Sequence, residues 1–304
     1  MRPGTLKADF LLLLTASIWG FAFVAQRVGM EYVGPFTFNA VRFALGSVSL
    51  LPLILLLRKR RRHRAAAQAP AWQGGLAAGL VLFAGASLQQ AGLVYTTAGN
   101  AGFITGLYVV IVPLLGLIWR QRPHAGTWLG ALLAVVGLYL LSVRGGLHIG
   151  LGDLLVLCSA FFWAAHVLLI GWFAPRTDAL LLAALQFAVC ALLSLLTAGL
   201  VESISLAAIE QAMAPILYGG VGSVGIAYTL QVIAQRDAHP AHSAIILSLE
   251  GVFAALGGWL LLQEVLSGRG LLGCALILAG MLLSEVTVYF GGRRERPVAA
   301  ACAD

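Results

Sequence analysis

The chain has 304 residues, of which 60% are hydrophobic and only 10% charged. A soluble domain carries about 45–50% apolar and about 25% charged residues, so this composition cannot clothe a water-facing surface and excludes a soluble enzyme or binding module. The net charge of +7 resembles a signal for nucleic acid only until the basic residues are placed along the chain.

A membrane-spanning helix needs ~20 mostly apolar residues. Ten stretches qualify, near 8–28, 36–57, 72–94, 99–119, 126–143, 153–173, 179–200, 212–234, 240–262 and 270–290, with ends good to about three residues. The connections are short, so no soluble domain is expected. The first stretch is of full spanning length and lacks a small-residue cleavage site after it, unlike a signal peptide.

In span one, Thr15, Trp19, Ala22 and Gln26 recur at helical spacing on one face. Span two carries Arg42, seven residues after Pro35 and therefore ~10 Å along the helix. The basic run from Arg58 to Arg64 follows directly. Such a run can mark nucleic acid or anionic lipid, but at the end of a span it is what topology demands. Span three holds Gln89 and Gln90, and span four Asn100, Thr105 and Tyr108. Amides and phenols can recognise a polar solute without the cost of a buried charge, or can bond one helix to another. Gly126, Gly130 and Ala134 give span five a small-residue face.

Span six repeats span one. Asp9 precedes Trp19 by ten residues, and Asp153 precedes Trp163 by ten, at an offset of 144. Arg42-Phe43-Ala44 falls opposite Gln186-Phe187-Ala188, and the glycines Gly130 and Gly137 of span five answer Gly273 and Gly280 of span ten at an offset of 143. The mates of Thr15, Trp19, Ala22 and Gln26 are Ser159, Trp163, His166 and Ile170. His166 lies deep in its span, where an imidazole of ordinary pKa ~6.5 is either a proton carrier or a neutral, hydrogen-bonded core residue.

Span eight places Tyr228, Gln231 and Gln235 on one face, after the glycine-rich Gly219-Gly220-Val221-Gly222. In span nine, His239, Ser243, Leu247 and Glu250 share a face, with Glu250 ten residues after Pro240 and so ~15 Å along the helix. A carboxylate at mid-depth either pairs with Arg42 as a structural or gating contact, the favoured reading, or cycles a proton. The small faces of spans five and ten serve as a buttress or as a homodimer contact. The four cysteines form neither a CxxC nor a Cys/His spacing, so neither metal nor cofactor is expected.

Short loops retain Lys and Arg on the cytoplasmic side. With the N-terminus inside, 15 basic residues fall inside, three (Arg27, Arg144 and Arg269) fall outside, and Arg42 lies within a span, which accounts for all 19. The expected fold is therefore all-α, an integral membrane protein of ten transmembrane helices with both termini cytoplasmic. Residues 8–143 form one five-helix repeat, 150–290 a second and inverted one, and 291–304 a cytoplasmic tail. Inverted repeats are a construction of secondary transporters, with the site near mid-depth at their interface.

The residues also resemble a known family. Trp19-Gly20, Val41-Arg42-Phe43, Gly102-Phe103-Ile104-Thr105-Gly106 with Val112-Pro113-Leu114, and Leu247-Ser248-Leu249-Glu250-Gly251 with Leu261-Leu262-Gln263-Glu264 are similar, in this order, to the EamA-domain branch of the drug/metabolite transporter superfamily. The chain departs from that pattern at Gly251, where the family has Pro, and at Gln263, where it has Gly. It also lacks the family's Leu-Gly-Glu element after span four.

The resemblance implies a secondary transporter of the inner membrane, an exporter of amino acids or related small metabolites, with proton exchange as one mode of coupling. An importer of the same fold, a channel and a membrane-embedded enzyme are the alternatives; no P-loop or HExxH is present. The expected partners are a small-molecule metabolite and the bilayer, with no nucleic acid. The substrate path is expected at Trp19, Gln89, Gln90, Asn100, Tyr108, Trp163, His166, Tyr228, Gln231 and Ser243, and coupling or gating at Arg42, Glu250 and His166.

Overall fold

The structure, a computed structural model, describes residues 3–57, 69–96, 98–118, 123, 125–142, 150–263 and 267–291. Among them all regular structure is helical. The helices are α1 (Pro3–Gly29), α2 (Pro35–Ser49), α3 (Leu51–Leu56), α4 (Ala71–Gly92), α5 (Ala98–Gly106), α6 (Tyr108–Ile118), α7 (Ala125–Ser142), α8 (Leu151–Phe173) and α9 (Ala179–Val201). After them come α10 (Leu206–Gln211), α11 (Met213–Leu217), a π-helical stretch (Tyr218–Tyr228), α12 (Thr229–Ala234), α13 (Pro240–Leu247), α14 (Glu250–Leu262) and α15 (Gly268–Gly291).

Seven stretches are long and apolar enough to cross a bilayer, and Ile104–Ile118, Ala125–Leu140 and Gly268–Ser284 are shorter apolar helices. The continuous helices read from sequence are interrupted at identifiable points. Span two breaks at Leu50, whose amide makes a tight turn to Ser47 O just ahead of Pro52, a residue that cannot donate a backbone bond. Span four breaks at Leu107 and span nine between Leu247 and Glu250, with tight-turn bonds from Leu107 N to Ile104 O and from Leu249 N to Ile246 O. Those two breaks are repeat mates, and they make Tyr108 and Glu250 the first residues of α6 and α14.

Packing registers give the relative helix directions. Thr15 Oγ1 donates to Ala227 O (3.1 Å) and Trp19 Nε1 to Ser223 O (3.4 Å), so α1 runs antiparallel to the π stretch. Arg42 lies beside Gly219 and Ser49 beside Gly225, so α2 runs parallel to it. Ser47 Oγ donates to Ala184 O (3.0 Å) and Phe43 lies beside Phe187, so α2 and α9 are antiparallel. Gly75 meets Leu185 and Gly79 meets Val189, which makes α4 parallel to α9; Gly92 meets Gly152 and Gly85 meets Trp163, which makes α4 antiparallel to α8. Followed around, α1 and α8 run in opposite directions.

The packing pairs also recur under exchange of the helices α1–α7 with those from α8 to α15. α1 packs on α14 as α8 packs on α5 and α6, and α1 packs on the π stretch and α12 as α8 packs on α4. Two pairs, α2 with α9 and α7 with α15, exchange with themselves. At the second of these the small faces meet: a Cβ on Gly130 would lie 2.7 Å from Gly280 O, one on Gly280 2.6 Å from Gly130 O, and one on Gly137 2.5 Å from Gly273 O. Without a hydrophobic drive between helices in lipid, such backbone approach is a main source of adhesion. The glycine faces expected to serve as buttress or dimer contact thus pack on each other within the chain.

At one end, the Glu202 carboxylate caps α2 from across the fold, accepting from Phe36 N and Thr37 N (both 2.8 Å) and from Thr37 Oγ1 (2.6 Å). At the end of α14, Gln263 adopts φ 55°, the left-handed region that glycine takes most readily. This is the position where the related pattern carries Gly.

Two outcomes follow. Gly137→Ala forces its methyl into Gly273 O and lowers stability by about 1–3 kcal/mol, read as an earlier thermal unfolding in detergent. Gln263→Ile, β-branched at positive φ, lowers it by about 1–2 kcal/mol, whereas Gln263→Gly leaves the unfolding temperature unchanged or raised.

Candidate functional site

The broken helices and the two tryptophan-bearing helices converge on one narrow central cavity. Its wall includes Trp19, Ala22, Phe23 and Gln26 of α1, Arg42 of α2, and Gln89 of α4. Thr105 and Tyr108 come from the two sides of the Leu107 break, Trp163, His166 and Val167 from α8, Ser223, Tyr228 and Gln231 from span eight, and Leu247 and Glu250 from the two sides of the α13–α14 break. The remaining room between these side chains is narrow.

Tyr228 occupies the centre. Its ring centroid lies 4.5 Å from Trp19, 6.2 Å from Trp163, 6.1 Å from both His166 and Phe43, and 6.0 Å from Phe187. It therefore joins aromatic side chains of both repeats, in tilted and edge-on arrangements that suit ring quadrupoles. Each tryptophan N–H has a partner: Trp19 Nε1 donates to Ser223 O, and Trp163 Nε1 to Gln89 Oε1 at 2.6 Å.

The ionisable groups are separately held. Arg42 is 3% exposed; its Nε donates to Asn39 Oδ1 (2.9 Å), Asn39 Nδ2 donates to Ala86 O (3.2 Å), and its guanidinium stacks 4.7 Å from the Phe43 ring centroid and 5.6 Å from that of Phe38. His166 Nε2 donates to Gln186 Oε1 at 2.8 Å. Glu250 lies beside Tyr108 in the cavity wall, close enough for the carboxyl and the phenol to interact.

The expected Glu250–Arg42 pair is not formed. Both residues reach the same cavity, but Asn39, Phe38 and Phe43 draw the guanidinium onto its own helix. Tyr228 lines the same cavity and is close enough to interact electrostatically with both side chains.

Several polar atoms of the wall are buried without a partner: Gln26 Oε1, Thr105 Oγ1 and both amide atoms of Gln231. Each unsatisfied group buried in this way costs about 1–3 kcal/mol. These atoms share one space, where a polar group could satisfy them.

Of the path residues expected from sequence, Trp19, Gln89, Tyr108, Trp163, His166, Tyr228 and Gln231 line this cavity, together with Arg42 and Glu250. Gln90 is fully buried with neither amide atom bonded, but it is outside the cavity wall. Ser243 Oγ turns back to His239 O (3.1 Å), and Ser243 is outside the cavity wall. The side chain of Asn100 lies outside the described residues. Thr15 and Ser159 spend their hydroxyls on Ala227 O, Leu11 O and Val156 O, leaving the stripe to the residues above them. Asn39 was missed; its position three residues before Arg42, on the same helix face, was the available signal.

The chain matches the profile of a family described as the EamA-like transporter family, over residues 6–143 and again over 150–285. It is 32% identical over 286 residues to an uncharacterized transporter of Archaeoglobus fulgidus, covering 93% of this chain and 87% of that one. It is 23% identical over 283 residues to the uncharacterized transporter YoaV of Bacillus subtilis, covering 89% and 94%. A solved crystal structure overlays with a TM-score of 0.77 at 20% identity, covering 96% of this chain and 100% of that one; this likeness concerns the fold alone.

Asn39→Leu removes the Nε partner of a buried guanidinium and costs about 1.5–3 kcal/mol, measured as thermal destabilisation in detergent. Asn39→Asp, which keeps the acceptor, recovers most of the loss.

Proposed function

The chain belongs to the EamA-like transporter family, and from that premise we propose that it is a secondary carrier that exports small zwitterionic metabolites, amino acids foremost, by alternating access. It is a multi-pass membrane transporter. The proposed topology has ten spans in two inverted repeats, in the inner membrane; the 15-to-3 division of basic residues supports its orientation with both termini cytoplasmic.

One observation carries the substrate assignment. Arg42 and Glu250, side chains of opposite charge type that do not pair with each other, line the same buried cavity, among polar atoms that lack partners. A solute with a carboxylate and an ammonium group supplies the missing counter-charges together, with Arg42 suited to the planar carboxylate and Glu250, Thr105 and Gln231 to the ammonium. Trp19, Trp163 and Tyr228 form an aromatic wall for its apolar part.

Expression in a host stripped of its own exporters, challenged with toxic amino-acid analogues, nucleobases and cationic drugs, tests this reading. Protection is expected against the zwitterionic analogues; unchanged sensitivity in every class would sink it. Arg42→Gln and Glu250→Gln each weaken apparent affinity about 10- to 100-fold, the loss of one charge-assisted bond. Glu250→Gln also decides the coupling: transport with the wild-type pH dependence removes Glu250 as the proton carrier.

A further inference from the structure

Two hydrogen bonds stand at equivalent places in the two repeats. His242 Nε2, on α13, donates to Asp9 Oδ1, on α1, at 3.1 Å. Thr96 Oγ1, just before α5, donates to Asp153 Oδ1, on α8, at 2.5 Å, and Gly150 N also donates to that carboxylate at 3.1 Å. Asp9 and Asp153 are repeat mates at the offset of 144, and Thr96 and His242 are matched to within two residues of it. Each bond joins the lead helix of one half to the fourth span of the other.

Their positions relative to the cavity are also equivalent. Asp9 is ten residues before Trp19 and Asp153 ten before Trp163, which places each tie ~15 Å along its helix from the cavity wall. Because α1 and α8 run in opposite directions, the two ties lie on opposite sides of the cavity, ~30 Å apart, the thickness of a hydrocarbon core. Between them the α2–α9 and α7–α15 contacts exchange with themselves. A motion that swaps the conformations of the two halves preserves those contacts and trades one tie for the other.

We propose that Asp9–His242 and Thr96–Asp153 are the closures of the two mouths of the cavity, and that one of them opens for the cavity to reach its side. This rests on the cavity being the substrate path. Both closures are made in this structure, in keeping with its narrow cavity. They also differ in chemistry. Thr96–Asp153 is held by a hydroxyl and a backbone amide, whereas Asp9–His242 is a carboxylate–imidazole contact with both side chains largely buried.

The test uses full-length protein with Cys158, Cys190, Cys274 and Cys302 replaced by alanine and one reporter, Ser223→Cys, in the cavity wall. Asp9→Cys with His242→Cys, or Thr96→Cys with Asp153→Cys, is locked by a short bifunctional methanethiosulfonate. The reporter is then labelled with an impermeant maleimide in vesicles of either orientation. Locking the Asp9 side is expected to confine labelling to the Asp153 side, and the other lock to reverse it. Labelling from the same side under both locks, or unaltered by either, would overturn the proposal.

Should the paired variants not fold, His242→Ala and Thr96→Ala each raise labelling from their own side about tenfold, the value of one hydrogen bond to a charged group; the same response to both overturns the proposal. The readout needs no substrate. Alternating labelling without protection in the exporter assay rejects the export reading and keeps the closures, and protection without alternation does the reverse.

Discussion

A polar group inside a bilayer has no water to fall back on, so it must find its partner within the protein or keep one side open to a solute. That constraint bears on two groups of buried polar residues in this chain. Thr15, Trp163, His166, Gln235 and Asn39 are bonded across helices or to backbone carbonyls, and they hold the bundle together. Gln26, Thr105 and Gln231 have buried atoms without partners, and all three face the same space. The first set builds a frame rigid enough for the second to remain unsatisfied.

The two halves are equivalent in architecture and unequal in chemistry, and the inequality lies in one pair of mates. In the second half His166 bonds Gln186, which closes that corner with a neutral pair. Their counterparts in the first half are Ala22 and Arg42. A methyl in place of an imidazole leaves the guanidinium without a partner from α1, so Arg42 turns to Asn39 and to the rings of Phe38 and Phe43. One substitution set thereby supplies both the extra room and the extra charge, which is how a duplicated scaffold acquires a polarised cavity.

Much of this was legible in the amino-acid sequence, because apolar stretches of spanning length and a repeat at a fixed offset are properties of composition and order. The aromatic and amide residues of the cavity were legible for the same reason, since polarity at mid-depth is rare and costly. What escaped depends on rotation about helix axes. Depth placed Arg42 and Glu250 in one layer, but only the Leu107 and α13–α14 breaks decide which way Tyr108 and Glu250 point. Neither break carries a proline at its turn to announce it. The π-helical stretch from Tyr218 to Tyr228 likewise shifts every later residue off a 3.6-residue wheel. Gln263 is the opposite case: its departure from the related pattern had no visible meaning until its left-handed backbone explained why glycine suits that place.

The break that makes Glu250 the first residue of α14 also turns α13 into a lever. Its eight residues form an arm of ~12 Å, with His242 near the tip and Glu250 beside the fulcrum. Rotation about that point sweeps the tip through an arc while the carboxylate scarcely moves. Span four repeats the arrangement, with Thr96 at the far end of α5 and Tyr108 at its pivot. On such a rotation the tips of the two arms would travel furthest and the residues that line the cavity least.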